Sequence, residues 1–202
     1  NQGNTISNNA GDGFRALAAN GGMIDGNLLN NTITDNGGNG AAFLIDNGGF
    51  IDFGTLPNRR IEGNTITGNG GAGILLNQQV AADNEAQLDA TVLGNTISAN
   101  TGGGIVSNLF GPNNAPPFPP AIVDNNRLNL TIGGTAAGAA NTINGNSDVG
   151  IGVNVSGNGQ AVVDIINTSV TGTVDGPDPV WNGDGLGLRR SGSSLLLATV
   201  TD

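Results

Sequence analysis

The chain has no cysteine, histidine, lysine or tyrosine. Without cysteine there is neither a disulfide framework nor a thiolate metal site, so the redox compartment is not readable. Six arginines face sixteen carboxylates, for a formal charge of −10. Phosphate neutralisation needs clustered Lys and Arg, so nucleic acid is excluded as a partner, and an anionic membrane surface with it. No apolar run reaches the ~18 residues of a spanning helix, so membrane insertion is not expected. Charged residues are only 11% of the chain and apolar ones 37%. That is too little charge for disorder and enough Ile, Leu, Val and Ala for a narrow core.

What is present in excess is asparagine, glycine and a repeat. Asn-Thr-Ile occurs at Asn4, Asn31, Asn64, Asn95 and Asn141, with a degenerate copy at Asn167-Thr168-Ser169-Val170. In the five clean copies a second Asn follows five positions on, at Asn9, Asn36, Asn69, Asn100 and Asn146. A glycine stands nine positions on, at Gly13, Gly40, Gly73, Gly104 and Gly150, and an apolar residue comes after it. The phase within each unit is fixed, whereas the distance from one unit to the next is uneven and longest between Asn95 and Asn141. A rigid motif with variable length elsewhere is the mark of a solenoid whose loops leave from particular corners.

Each position has a physical role. Thr-Ile-Ser or Thr-Ile-Thr alternates polar, apolar, polar, which predicts a strand with Ile inward and hydroxyls outward. The Gly-x-Gly step is expected to supply backbone angles forbidden to a side chain. The corner asparagines are expected to adopt left-handed conformations, and Asn4, Asn31, Asn64, Asn95 and Asn141 to bond one another in a structural ladder. Looser segments around Met23-Ile24-Asp25, Phe50-Ile51-Asp52-Phe53, Ala90–Leu93, Leu128–Ile132 and Val162–Ile166 supply a third strand. The expected fold is all-β: a parallel β-helix of six to seven coils with three short strands per coil. Residues 1–202 read as one β-helix domain, a segment of a longer chain, with loop excursions near 111–120 and 174–182. Six rungs at ~4.8 Å give a rod on the order of 30 Å long.

The units Asn-Thr-Ile-x-x-Asn-x-Gly-x-Gly-Ile resemble the parallel β-helix repeat of the pectin-lyase-like superfamily. Ile132-Gly133-Gly134-Thr135-Ala136-Ala137-Gly138-Ala139-Ala140-Asn141 resembles a second motif of large secreted bacterial β-helix proteins. The resemblance implies a right-handed coil and an extracellular or cell-surface location. It selects no activity, since the superfamily holds lyases, hydrolases, epimerases, adhesins and spacers.

The lyases and epimerases of that superfamily take their base from Lys, Arg, His or Tyr, of which only arginine is available here, a poor base. Its hydrolases pair clustered aspartates with Asn-Thr-Asp, Asp-Asp, Gly-His-Gly and Arg-x-Lys motifs, none of which occurs. The chain is therefore read as no enzyme and as needing no cofactor, with calcium at Asp175, Asp178 and Asp184 the one metal to consider. Trp181, Phe118, Arg59 and Arg60 are the candidate glycan contacts. The outward hydroxyls Thr5/Ser7, Thr32/Thr34, Thr65/Thr67 and Thr96/Ser98 form the kind of grid used by ice-binding solenoids. The grid is expected to degrade at Asn144 and in the irregular sixth coil. Neither end reads as a cap, so further coils of a longer parent, or copies of the chain stacked end to end, are the expected partners. The leading reading is a non-catalytic structural or adhesive module, followed by a polysaccharide-binding or polysaccharide-degrading β-helix, and then ice binding.

Overall fold

The computed structural model describes residues 3–54, 59–79, 85–111 and 126–202. Among these there is no helix, hence none long and apolar enough to cross a membrane. Three parallel sheets run the length of the stack. Sheet A holds the Asn-Thr-Ile strands: Thr5–Ser7, Thr32–Thr34, Thr65–Thr67, Thr96–Ser98, Thr142–Asn144 and Ser169–Thr171. Sheet B holds Phe14–Ala19, Ala41–Asp46, Ile74–Gln79, Ile105–Phe110, Val149–Ser156 and Asp184–Arg190. Sheet C holds Gly22–Asp25, Gly49–Phe53, Ala86–Leu93, Arg127–Gly133, Gln160–Ile166 and Leu195–Thr201. It also takes in the two short strands Leu28–Leu29 and Ile61–Glu62. Six coils therefore stack, each giving one strand or a split strand to each sheet.

The motif is in register from rung to rung. Ile6, Ile33, Ile66, Ile97, Ile143 and Val170 align in sheet A. Behind them Ala41, Ile74, Ile105 and Ile151 align in sheet B, all fully buried. One continuous core results, in which the rings of Phe14, Phe43 and Phe53 meet at centroid distances of 5.5, 6.5 and 4.8 Å. Small residues beside Phe43, namely Ala16 and Ala41, make the room these rings occupy.

The asparagine ladder is present and is double. The Oδ1 of Asn31 accepts from both the backbone N–H and Nδ2 of Asn4, each at 3.0 Å. The same pattern links Asn31 to Asn64, Asn64 to Asn95 and Asn95 to Asn141. A second file runs through Asn9, Asn36, Asn69, Asn100 and Asn146. Ladder amides also donate sideways to carbonyls of the preceding coil, such as Asn64 Nδ2 to Leu28 O at 2.8 Å. These buried amides thus satisfy both donor and acceptor, which removes the penalty for taking them out of water.

Three sequence expectations are corrected here. The ladder asparagines are not left-handed; the residue before most of them is, as at Asn30, Gly63 and Gly94, and at Asn8, Asp35, Gly68, Ala99 and Gly145. The motif glycines Gly13, Gly40, Gly73, Gly104 and Gly150 have no positive φ. They are required by space: a Cβ on Gly40 would lie 2.3 Å from Ile66 Cγ2 and 2.6 Å from Gly73 O. Finally, Thr142 pairs with Ser169, so Thr168 and not Asn167 stands in the ladder position of coil six. Thr168 donates to Ile132 O and Ile166 O. Asn167, with φ 45°, is the left-handed residue ahead of it. The last unit thus starts one position later than its sequence suggests, and both asparagine files stop in coil five.

Ala99 is the misfit of that series, the one alanine in the left-handed region among the described residues, at φ 54°. A Cβ there costs roughly 1–2 kcal/mol, and glycine removes the clash. Ala99→Gly is expected to stabilise the protein by about 1 kcal/mol in urea unfolding, against the usual penalty of Ala→Gly in a strand.

Candidate functional site

The alternation of each strand puts every second side chain on an outer face, and each sheet presents a different chemistry there. Sheet A is a polar, uncharged grid. Thr5, Thr32, Thr65, Thr96, Thr142 and Ser169 form one exposed file. Ser7, Thr34, Thr67, Ser98, Asn144 and Thr171 form the second. In the second file neighbours bond along the axis, Ser98 Oγ to Thr67 Oγ1 at 3.1 Å and Thr171 Oγ1 to Asn144 Oδ1 at 3.3 Å. The sixth coil, expected to be irregular, continues the grid in register.

The outer face of sheet C carries the charge. Asp25, Asp52 and Asp89 occupy one register position in three consecutive coils, followed by Asn129. Stacking carboxylates one rung apart is unfavourable unless they are compensated. Compensation comes from Arg59, whose guanidinium reaches Asp25 at 2.9 Å and Asp52 at 2.5 Å. Asp52 also accepts from the Gly54 N–H at 2.9 Å. Asp89, 5% exposed, accepts from Gln87 Nε2 and Asn129 Nδ2, each at 2.5 Å. Beside it lies a cleft of about 270 Å³ lined by Gly54, Asp89, Ala90, Thr91, Asn129 and Thr131. Sequence reasoning misses this file, although Ile24-Asp25, Ile51-Asp52 and Leu88-Asp89 repeat the same apolar-acidic pair.

The residues singled out in the sequence do not converge. Trp181, expected to offer its ring to a glycan, is only 4% exposed. It lies flat on the outer face of sheet B, over the register pair Gly152 and Gly187, against Ala72, Val106 and Val149. A Cβ on Gly187 would lie 2.4 Å from the ring, so the two glycines form its seat. The Arg189 guanidinium lies over the ring at 5.9 Å from its centroid. The excursion carrying the tryptophan is pinned by Asp148, whose carboxylate accepts from Asp178 N–H at 2.9 Å and whose carbonyl accepts from Gly183 N–H at 2.8 Å. The indole is thus packed against the sheet and does not present its ring face to solvent. Arg59 belongs to the carboxylate file, and Arg60 pairs with Glu62 at 2.5 Å. Phe118 lies outside the described residues. Asp175 and Asp178 sit along the final excursion and Asp184 opens the last strand of sheet B, and no group of three or more potential metal ligands occurs among the described residues.

The coil itself matches a known family. The family model described as "Right handed beta helix region" covers residues 2–129. This chain belongs to the right-handed β-helix family. Neither the comparison with curated proteins nor that with solved structures returned a match. For a right-handed β-helix the pectin-lyase-like resemblance is consistent, and the three parallel sheets continue the fold through coils five and six, beyond the matched segment.

In this β-helix, Arg59→Met leaves Asp25 and Asp52 one rung apart without their cation. The side chains are 34% and 12% exposed, so solvent screens part of the repulsion. The expected loss is about 1–2 kcal/mol in urea unfolding, with most of it restored by adding Asp25→Asn.

Proposed function

We propose that the chain is a non-catalytic structural module, a rigid β-helical rod within a secreted or surface protein that presents loops and adhesive faces laterally. The observation that carries this reading is the pair of asparagine ladders, unbroken through five coils beside one continuous core. Such a stack resists bending and local opening, because every coil is bonded to its neighbours by backbone and side chain alike. The polar side chains that chemistry would need are engaged internally, Asp25 and Asp52 by Arg59 and Asp89 by Gln87 and Asn129. Coil six exposes Leu186, Leu188 and Val200, in register with the core residues Ile151, Val153 and Ile165, the surface on which a further coil, or a second copy end to end, would pack. The test is twofold. Negative-stain imaging is expected to give straight rods or threads, and incubation with polyuronates and neutral glycans is expected to yield no new reducing ends or unsaturated products. Turnover abolished by Asp52→Asn or Asp89→Asn would replace this reading with a polysaccharide-degrading one.

The sheet A grid favours a second reading, ice binding. Two files of six positions, hydroxyl-bearing except at Asn144, repeat at ~4.8 Å along the axis and ~6.7 Å across. A flat lattice of that kind can order water. Thermal hysteresis that disappears on Thr65→Lys would support it; no hysteresis at any concentration would remove it.

A further inference from the structure

Asp25, Asp52 and Asp89 hold the same outward position of sheet C in three successive coils, yet only the first two meet a cation. The chain has no lysine or histidine, so arginine is its one cationic side chain. All six arginines are among the described residues. Their ion pairs there join Arg15 to Asp12, Arg59 to Asp25 and Asp52, and Arg60 to Glu62. Arg127 stands diagonally across from Asp89 on the next strand, exposed and in none of these pairs.

Asp89 is 5% exposed and is met by neutral donors alone. Its Oδ1 accepts from Asn129 Nδ2 and its Oδ2 from Gln87 Nε2. A carboxylate has about four acceptor sites, so one remains on each oxygen. Amide donors leave the charge itself uncompensated, and burying a carboxylate without a counter-charge is unfavourable. The cleft of about 270 Å³ has this carboxylate in its wall, with Gly54, Thr91, Asn129 and Thr131 around it. Thr91 Oγ1 donates to Gly54 O at 3.2 Å, so this neighbour is turned away from the carboxylate.

One acceptor site on each oxygen of a single carboxylate matches the paired N–H groups of a guanidinium. The fold itself uses that chemistry one rung earlier. Arg59 enters from a connection and spans Asp25 and Asp52, at 2.9 and 2.5 Å. We propose that the cleft over Asp89 is a docking site for an arginine side chain of a partner protein. The cleft opens on the lateral face of the stack, where a partner can approach side on, and the net charge of −10 draws a basic surface to it. The inference holds whether or not the chain is a structural rod.

Titration of the full chain with a blocked Gly-Arg-Gly peptide at low salt, followed by amide NMR, tests it. Saturable shifts at Gly54 and Asn129 are expected. Asp89→Asn is expected to weaken binding at least about tenfold, the loss of a charged hydrogen-bond pair. Asp46→Asn removes the same charge from an exposed position on sheet B and is expected to leave binding unchanged. The citrulline peptide, of the same shape without the charge, is expected not to bind. Thr131→Arg delivers a guanidinium from the chain itself, and is expected to block the peptide and raise the urea midpoint. That variant keeps the test open if Asp89→Asn fails to fold. Equal binding of the citrulline peptide, or equal weakening by Asp46→Asn and Asp89→Asn, would overturn the proposal. So would a Thr131→Arg chain that still binds the peptide, or binding of L-arginine or spermidine without the peptide, which would make the ligand a small cation.

Discussion

Asn69→Ala is expected to cost on the order of 4 kcal/mol, a large fraction of the stability of an ordinary domain. Asn69 is fully buried. Its Oδ1 accepts from Asn36 N and Nδ2 at 3.1 and 2.9 Å, and its Nδ2 donates to Asn100 Oδ1 at 2.9 Å. Truncation orphans two donors of Asn36 inside the stack, at about 1–3 kcal/mol each, and leaves a void beside Ile33 and Ile66. The same substitution at Asn4, an exposed end rung, orphans nothing, because Asn4 receives no ladder bond among the described residues. Its cost is expected below about 1 kcal/mol. Urea unfolding of the two variants side by side measures the ladder; equal losses would mean that the asparagines act through packing alone. Asn69→Asp is expected to be worse than the alanine, since a carboxylate cannot donate to Asn100 and buries a charge.

Gly73→Ala is the second large effect, expected at roughly 3 kcal/mol. The added methyl would sit 2.4 Å from Ile97 Cγ2 and 2.8 Å from Gly104 O. The first is a core side chain and the second is backbone of the next coil, so neither can withdraw without opening the rung spacing. Gly11→Ala is the control: it lies in the same Gly-x-Gly motif, yet a Cβ there meets nothing within 4 Å and its φ is not positive. It is expected to be neutral or slightly stabilising, through the reduced entropy of the unfolded chain. If the motif glycines served backbone angle, both substitutions would be costly; if they serve space, only Gly73 is.

Spacing alone is enough to establish the coil, the inward Ile files and the first asparagine ladder. The Asn-Thr-Ile phase survives every insertion, and a strand of period two can place its apolar residue on one side only. The purpose of Gly40 and Gly73 is not legible in the sequence, because a close approach between successive coils leaves no trace in local angle preferences. The burial of Trp181 is hidden for a related reason. Its seat is made by Gly152, from the preceding coil, and Gly187, from its own. Only the pairing of their strands puts the two glycines side by side.

The carboxylate file follows the same logic. Asp25, Asp52 and Asp89 are unevenly spaced along the chain, because the loops between sheet C strands differ in length while the register does not. Arg59 joins them from a connection rather than from a strand. The sequence by itself determined the repeating unit, since hydrophobic alternation and amide chemistry are written within one short motif. The tertiary structure decided which side chains of different coils meet and which carboxylates are compensated. Those depend on stacking distance between segments that variable loops separate along the chain.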